Sequence, residues 1–156
     1  MIGRGAVVLV AAGVLALVLA SCGSPFPGRT LGQQVHSWAT MTGLATSLST
    51  LHTDARRIAA LEARHDPTGL RTDCDVIVDD ALSANQNLPS PDPTLTAVLS
   101  AAYASASAAG RHCLMGAGGD QALVTRSNAE LAAAASGYVK AQARLDALGA
   151  TGPASS

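Results

Sequence analysis

The apolar residues of this chain recur at alternating steps of three and four over most of its length, and this spacing limits the fold more than any other feature. Such spacing places the apolar side chains on one stripe of an α-helix, whereas a half-buried strand requires strict alternation. Clusters of proline and glycine divide the pattern into four stripes. The sequence therefore predicts an all-α fold built from four amphipathic helices.

Each stripe marks a set of expected core positions, because a helix buries its apolar face. The first stripe starts at Leu31, continues without a break, and ends near His65. It includes Trp38, the single tryptophan of the chain. The expected core positions of the four helices are, in order, Leu31, Val35, Trp38, Met41, Leu44, Leu48, Leu51, Ala55, Ile58 and Leu61; Leu70, Cys74, Ile77, Ala81, Ala84 and Leu88; Leu95, Leu99, Ala102, Ala106, Ala109 and Cys113; and Leu123, Leu131, Ala134, Tyr138, Ala141, Leu145 and Leu148.

Aspartates precede the second, third and fourth predicted helices, where a side chain can cap the first turn. Asp66 is followed by Pro67, and Asp92 by Pro93, which is the order of an N-cap and a first-turn proline. Asp120 follows a cluster of glycines that ends the third helix. Four helices joined by short turns favour an antiparallel four-helix bundle of up-down-up-down topology.

The first 22 residues have the parts of an exported leader, namely a basic residue, an apolar run and small residues before a cysteine. Arg4 is the basic residue, residues 6–18 form the apolar run, and the leader closes in the box Leu19-Ala20-Ser21-Cys22. This leader resembles that of a bacterial lipoprotein precursor. The resemblance implies that residues 1–21 are a cleaved signal peptide. It also implies that Cys22, carrying a diacylglyceryl group and palmitate, becomes the new N-terminus.

An uncleaved membrane helix is the alternative interpretation of this segment, because residues 5–21 are almost all apolar. A run of about 17 residues is near the lower limit for a spanning helix, which usually needs about 20. The cysteine also stands at the cleavable place. We therefore expect cleavage and lipidation at Cys22. Two or three acyl chains there would anchor the protein far more firmly than one.

Cleavage after residue 21 would leave 135 of the 156 residues, which is the length of a single domain. Residues 22–28 would form a short lipid-anchored linker with two prolines, about 20 Å long when extended. Residues 29–148 contain the predicted helical bundle. Residues 149–156 are small and polar, and we expect them to be a disordered tail.

The expected location is the outer, extracytoplasmic face of the cell membrane, where lipid on Cys22 would hold the domain. Without Arg4 the mature chain keeps nine basic and 11 acidic residues and a formal charge of −2. So weak a negative charge gives no long-range attraction to nucleic acid. We therefore expect a monomer without a nucleic-acid partner, and a protein partner in the envelope is an open alternative.

Two cysteines remain for the mature domain once Cys22 carries lipid, and these are Cys74 and Cys113. Outside the cytoplasm an isolated pair most simply forms a disulfide. Closing a loop of about 40 residues would stabilise the fold by about 4 kcal/mol in the chain-entropy model. The alternative is two separate buried thiols, since each cysteine also lies on an apolar stripe.

No residue pattern in the sequence predicts a metal, cofactor or catalytic site. Glu62 and His65 have the Glu-x-x-His spacing of ferritin-like di-iron bundles, but the chain has a single other glutamate and no second such motif. His112 is adjacent to Cys113 and therefore points about 100° away from it on a helix. An acidic cluster on the second helix lacks the spacing of a calcium loop and is expected to be a solvated polar face: Asp73, Asp75, Asp79 and Asp80.

These observations favour a non-enzymatic binding or accessory module of the cell envelope. The last two helices are rich in Ala, Ser and Gly. Such small side chains leave little interior room for a ligand but could offer an outer face to a partner helix. In overall plan the chain resembles small two-cysteine lipoproteins of high-GC Gram-positive bacteria. The alternatives are an extracytoplasmic carrier or sensor of a metal or small ligand and, third, an extracytoplasmic enzyme.

Overall fold

The described part of the chain consists of five α-helices and contains no strand. The computed structural model describes residues 28–151. The all-α class predicted from the apolar spacing is confirmed. The helices are α1 Leu31–Met41, α2 Leu44–Ala63, α3 Pro67–Asn85, α4 Pro93–Gly116 and α5 Gln121–Ala147.

The prediction of one continuous first helix is wrong, because this segment forms two helices, α1 and α2. Gly43 has a left-handed backbone conformation with φ +64°, which a continuous right-handed helix cannot contain. The Thr42 hydroxyl donates to the Trp38 carbonyl oxygen at 2.9 Å and closes the last turn of α1. Two expected core residues of α1 lie outside the core: Met41, next to the break, is 69 % exposed, and Leu31, at the start of the helix, is also exposed.

The three predicted aspartate caps are confirmed. The side chains of Asp66, Asp92 and Asp120 accept hydrogen bonds from backbone N–H groups in the first turns of α3, α4 and α5. Helix α1 begins with a capping box, in which the side chains of Thr30 and Gln33 each accept from the other's backbone N–H. Each cap satisfies N–H groups that a helix leaves free, and this fixes where the helix begins.

The core lies between α2, α3, α4 and α5, and α1 adds Val35 and Trp38 to it. Trp38 is 9 % exposed, which confirms its expected burial. Most positions of the predicted stripes are buried, and those at the edge of the core are only partly buried. The partly buried positions include Leu48, Ala55, Leu88, Leu131, Tyr138 and Leu148.

Helix α4 approaches both α3 and α5 closely through small residues. A Cβ on Gly110 would lie 2.7 Å from the Cys74 carbonyl oxygen, so the backbones of α3 and α4 nearly touch there. A Cβ on Gly137 would lie 2.6 Å from the Cβ of Ala102, which marks an equally close contact between α4 and α5. The small residues that are abundant in α4 and α5 therefore allow these helices to pack tightly.

Helix α1 lies against the end of the bundle formed by the α3–α4 connection and the end of α5, which we call the α1 end. Trp38 Nε1 donates to the Asn87 carbonyl oxygen at 3.1 Å. His36 Nδ1 is 2.7 Å from the carbonyl oxygen of Ala150. Ala150 is itself buried, so the packed chain extends two residues beyond the predicted boundary at residue 148.

Three predicted features lie wholly or largely outside the described residues. They are the signal peptide of residues 1–21, the linker of residues 22–28, and the tail of residues 149–156, of which the structure describes only residue 28 of the linker and residues 149–151 of the tail. Within residues 28–151, no helix combines the length and the apolar character that crossing a membrane would require.

Candidate functional site

Cys74 of α3 and Cys113 of α4 form the expected disulfide, with their Cα atoms 5.8 Å apart. Both cysteines are buried. The bond joins the first half of α3 to the last turn of α4 and so fixes how these two helices align. The alternative of two separate buried thiols is not what the structure contains.

An open cleft of about 490 Å³ lies at the end of the bundle opposite the α1 end. The α2–α3 turn forms one side of it and the α4–α5 turn forms the other. Its volume falls within the range of ligand pockets, about 300–1,000 Å³. We call it the distal cleft, and it is lined by Leu61, Glu62, His65, Asp66, Pro67 and Leu70 on one side and by residues 116–119, Gln121, Val124 and Asn128 on the other.

The turn between α2 and α3 sets the positions of the polar residues at the distal cleft. His65 has φ +53°, a left-handed conformation that is uncommon outside glycine. The Asp66 N–H donates to the Leu61 carbonyl oxygen at 3.1 Å. The His65 N–H donates to the Glu62 carbonyl oxygen at 3.0 Å. These bonds form a Schellman motif, which ends α2 with His65 at the place that glycine usually occupies.

Glu62 is one of the lining residues of the distal cleft, and its two carboxylate oxygens differ in their surroundings. Its Oε2 accepts a hydrogen bond from Asn128 Nδ2 at 3.0 Å, so residues of α2 and α5 hold the carboxylate in place together. Its Oε1 is buried and has no hydrogen-bond partner among residues 28–151. An unpartnered buried acceptor costs about 1–3 kcal/mol, and more when it is charged.

The Glu-x-x-His pair therefore lies at a cleft and not simply at a solvated helix end. Glu62, which is partly buried, and the exposed His65 are both lining residues of the cleft. Across the described chain, no three His, Cys, Asp or Glu side chains come together as a metal site would require. The spacing of the pair was visible in the sequence, but nothing there indicated that Asn128 is its neighbour.

The charge of the distal cleft is negative, and much of its remaining surface is apolar. Glu62 and Asp66 line it, and none of its described lining residues is Lys or Arg. Asp120 stands next to the lining residue Gln121 and caps the N-terminus of α5, so the positive end of that helix already faces a carboxylate. Leu70 and its apolar neighbours supply the rest of one wall. This arrangement suits a cation that carries an apolar portion.

Asp54 of α2 is a buried acid that the sequence analysis did not single out. It is 3 % exposed, and its Oδ2 has no hydrogen-bond partner within the described range. The pKa of Asp54 is raised to about 6, first by burial and then by the nearby Asp80 carboxyl, while Arg57, 4.0 Å from Oδ1, opposes the change. The acidic cluster expected to be a solvated polar face of α3 is in contact with solvent: Asp75 and Asp79 are exposed, and Asp73 and Asp80 are partly buried.

Two cross-helix side-chain contacts that the sequence analysis did not predict join α4 to α5. Asp92, which is 2 % exposed, accepts from Arg144 at 3.0 and 2.7 Å. The guanidinium of Arg144 holds the pKa of Asp92 below its usual value. Nearer the other end of these helices, His112 Nδ1 lies 2.7 Å from Glu130 Oε2. His112 is thus engaged with a carboxylate and not with a soft-metal site beside Cys113.

No protein family, curated protein or solved structure matches this chain. Its function therefore has to be argued from the sequence and from the geometry of the distal cleft.

Proposed function

We propose that this chain is a non-enzymatic lipoprotein of the cell envelope whose helical domain is a binding module. In this proposal, lipid on Cys22 anchors the domain to the outer face of the cytoplasmic membrane. The leader that ends in Cys22 supports the anchor. The buried disulfide between Cys74 and Cys113 fits export to an oxidising compartment. The domain acts as a monomer and binds no nucleic acid, in keeping with its weak net charge.

The proposal also makes α2 to α5 an antiparallel four-helix bundle, with α1 as an additional helix at one end. Asp92 at the start of α4 bonds Arg144 in the last turn of α5. Toward the other end of α4, the Ser127 hydroxyl donates to the Ala109 carbonyl oxygen at 2.9 Å. Contacts of this kind are expected when neighbouring helices run in opposite directions.

The position of α1 supports a distal cleft that faces away from the membrane. Cys22 precedes residue 28 by six residues, which reach at most about 20 Å. The chain enters α1 from residue 28, so the lipid would lie near the α1 end. Helix α4 has 24 residues and is therefore about 36 Å long at 1.5 Å per residue. The distal cleft would therefore lie about 36 Å from the α1 end, where a partner could reach it.

The observation that carries the binding role is the distal cleft itself, which is open and is lined by Glu62, Asp66 and apolar residues. A second groove, of about 410 Å³, lies along α4 and α5 and includes Ala101 and Gly137. It is a weaker candidate, because its volume is smaller and none of its described lining residues is a carboxylate. A carrier of a small ligand is the second candidate function, and the volume of the distal cleft favours it.

Photo-crosslinking in intact cells tests the binding role. A photoreactive residue at Gln121, an exposed position on the rim of the distal cleft, is expected to give a discrete crosslinked product. The matched control is the same photoreactive residue at Gln86, which is exposed near the α1 end. A product at Gln86 alone would place the binding surface elsewhere. No product at either position would contradict a protein partner.

The variant Cys22→Ser tests the lipid anchor. It removes the thiol that both acylation and cleavage need, so we expect a larger precursor that a palmitate analogue no longer labels. Intact-mass spectrometry and metabolic labelling measure the two effects. Ser21→Ala is the control, because it keeps a small residue before the cysteine and leaves the thiol intact. Unchanged mass and labelling in Cys22→Ser would contradict lipidation at this residue.

A further inference from the structure

The exposed residues of α1 form a surface at the α1 end of the bundle. Val35 and Trp38 pack the other side of this helix against the core. Trp38 Nε1 donates to the Asn87 carbonyl oxygen at 3.1 Å, and His36 Nδ1 lies 2.7 Å from the Ala150 carbonyl oxygen. These contacts fix α1 to the end of the bundle. We call its exposed residues the outer α1 face, and they are Leu31, Gln33, Thr40 and Met41.

The outer α1 face exposes apolar side chains and carries no charge. Met41 is 69 % exposed and Leu31 is 39 % exposed. The other two residues, Gln33 and Thr40, are polar and uncharged. Covering apolar surface that faces water is favourable, and no charge would have to be buried here. This face is therefore suited to contact with another surface.

The distribution of acidic residues indicates which kind of surface fits. Residues 23–53 contain no Asp or Glu, whereas residues 54–156 hold all 11 acidic residues of the chain. The α3–α4 connection at residues 86–91 also carries no charge. Arg29, which is exposed, stands two residues before α1. An anionic lipid surface attracts basic residues and repels carboxylates, so the charge around α1 suits such a surface.

Two carboxylates of other helices lie at the α1 end. Asp92 is buried and paired with Arg144, so it presents no free charge there. Asp146 in the last turn of α5 is exposed. Lys140 is also exposed on α5 and offsets that charge. The α1 end as a whole therefore does not repel an anionic surface.

The length of chain before α1 indicates that the occupant of this face is a bilayer. Cys22 precedes residue 28 by six residues, which reach at most about 20 Å. An α-helix with its side chains is about 10–12 Å across. Lipid on Cys22 would therefore keep the bilayer within about two helix diameters of the start of α1, closer than any freely diffusing partner.

We infer that the outer α1 face lies against an anionic phospholipid surface, with Met41 and Leu31 in contact with lipid. The inference rests on the proposed function, which places the lipid anchor on Cys22. An anchor alone leaves the domain free to rotate on its linker. Because α1 is fixed to the bundle, contact through this face would orient the whole domain and hold the distal cleft away from the membrane.

Paramagnetic NMR of the acylated protein in phospholipid nanodiscs tests this inference. The nanodiscs contain phosphatidylcholine and phosphatidylglycerol with a small share of spin-labelled headgroups, which broaden the signals of nearby amides. We expect strong broadening at Gln33 and Thr40 on α1 and little at Gly118 and Gln121 beside the distal cleft. Equal broadening at both ends, or stronger broadening beside the distal cleft, would overturn the inference.

Met41→Gln and Met115→Gln are matched variants, because each replaces an exposed methionine in the last turn of a helix. Met41→Gln removes an apolar contact with lipid and should lower the ratio of docked to undocked molecules about three- to tenfold, which weakens the broadening at Gln33. Met115→Gln changes the other end of the bundle and should have no effect there. The same broadening in both variants would contradict contact through Met41.

Gln33→Glu keeps the test decisive if Met41→Gln disturbs α1. Gln33 is the third residue of the capping box, where glutamate is equally suitable, so the helix should keep its start. The new carboxylate should weaken the broadening at Thr40 in nanodiscs with phosphatidylglycerol and change it little in pure phosphatidylcholine. Gln121→Glu adds the same charge at the start of α5 and is the control. Unchanged broadening in Gln33→Glu would count against the inferred surface.

Failure of the anchor and failure of this contact give different results. A chain whose intact mass shows no acyl groups would remove the proposed anchor and this inference together. An acylated chain in nanodiscs whose two ends broaden equally would keep the anchor and overturn the contact. Shifts of the α1 amides that depend on protein concentration, without spin label, would assign the outer α1 face to a second copy of the chain and also overturn it.

Discussion

Two buried aspartates make the stability of the domain depend on pH in opposite directions. Burial raises the pKa of Asp54 from 3.8 to about 6. Its contribution to stability is therefore present below about pH 4 and is lost as the pH rises from about 4 to 6. Arg144 lowers the pKa of Asp92. The contribution of Asp92 is present above its unfolded-state pKa and is lost as the pH falls through its lower folded-state pKa.

The variant Asp54→Asn should remove the first of these two effects. A tenfold change in proton affinity corresponds to about 1.4 kcal/mol, so a pKa raised to about 6 corresponds to a loss of about 3 kcal/mol at pH 7. The asparagine side chain of this variant carries no charge to bury, and its amide nitrogen can donate to the Asp80 carboxyl. We expect a gain of about 1–3 kcal/mol at pH 7 and a smaller decrease in stability between pH 4 and 6. Urea unfolding followed by circular dichroism at several pH values measures both.

Asp75→Asn is the control for this prediction, because it removes a carboxylate from the exposed side of α3. The control should keep the pH dependence of the original chain. An Asp54→Asn variant that is less stable at pH 7, or that keeps the same slope as the control, would show that the Asp54 charge is well compensated in the fold.

Some of these residues could have been identified from the sequence and others could not. The caps at Asp66 and Asp92 were predictable, because an N-cap depends on residues within one helical turn. Asp54 carried a signal that was overlooked: it stands three residues after Leu51 and four before Ile58, and so lies on the apolar stripe. Which residue pairs with Asp92 depends on how α4 aligns with α5. The spacing of residues within one helix gives no information about that alignment.

At the scale of helices, the close approach of α3 and α4 depends on a single missing side chain. A Cβ on Gly110 would lie 2.6 Å from Val78 Cγ2 and 2.7 Å from the Cys74 carbonyl oxygen. The Cys74 carbonyl belongs to the backbone of α3 and cannot move aside as a flexible side chain can. Gly110→Ala should therefore push α3 and α4 apart beside the disulfide. We expect a loss of about 1–3 kcal/mol or more, measured by thermal unfolding.

Gly118→Ala is the matched control for Gly110→Ala, because a Cβ there would meet no atom within 4 Å. It should leave the stability nearly unchanged. Equal melting temperatures for the two variants would mean that α3 and α4 can separate without loss of packing.

The break between α1 and α2 shows the limit of predicting helices from apolar spacing. Met41 and Leu44 are three residues apart, so the stripe continues across the break, although the backbone does not. The local signal was Gly43, whose left-handed conformation ends the helix. A lone glycine is tolerated within many helices, and spacing alone therefore cannot distinguish one long helix from two.

At the scale of the whole molecule, the distal cleft could not be predicted from the sequence. It lies between the α2–α3 turn and the α4–α5 turn. The lining residues Asp66 and Gly116, one from each side, are about fifty positions apart in the sequence. Their proximity depends on the lengths of α3 and α4 and on how these helices align. The sequence indicated the turns and the Glu62–His65 pair, and the packing of the helices determines that they form one cleft.

If the protein is exported as proposed, the disulfide between α3 and α4 also links its folding to export. The cysteines are 39 positions apart, and closing such a loop stabilises the fold by about 4 kcal/mol in the chain-entropy model. The double variant Cys74→Ala, Cys113→Ala should therefore melt about 15 °C lower, at about 4 °C per kcal/mol for a domain of this size. Reductant should lower the melting temperature of the original chain by a similar amount and leave that of the double variant unchanged.

Peptide mapping without reduction should recover the two cysteines in one linked pair. Two freely alkylated thiols in the exported protein, or a melting temperature insensitive to reductant, would contradict this role, and a chain retained in the reducing cytoplasm should show the stability of the double variant.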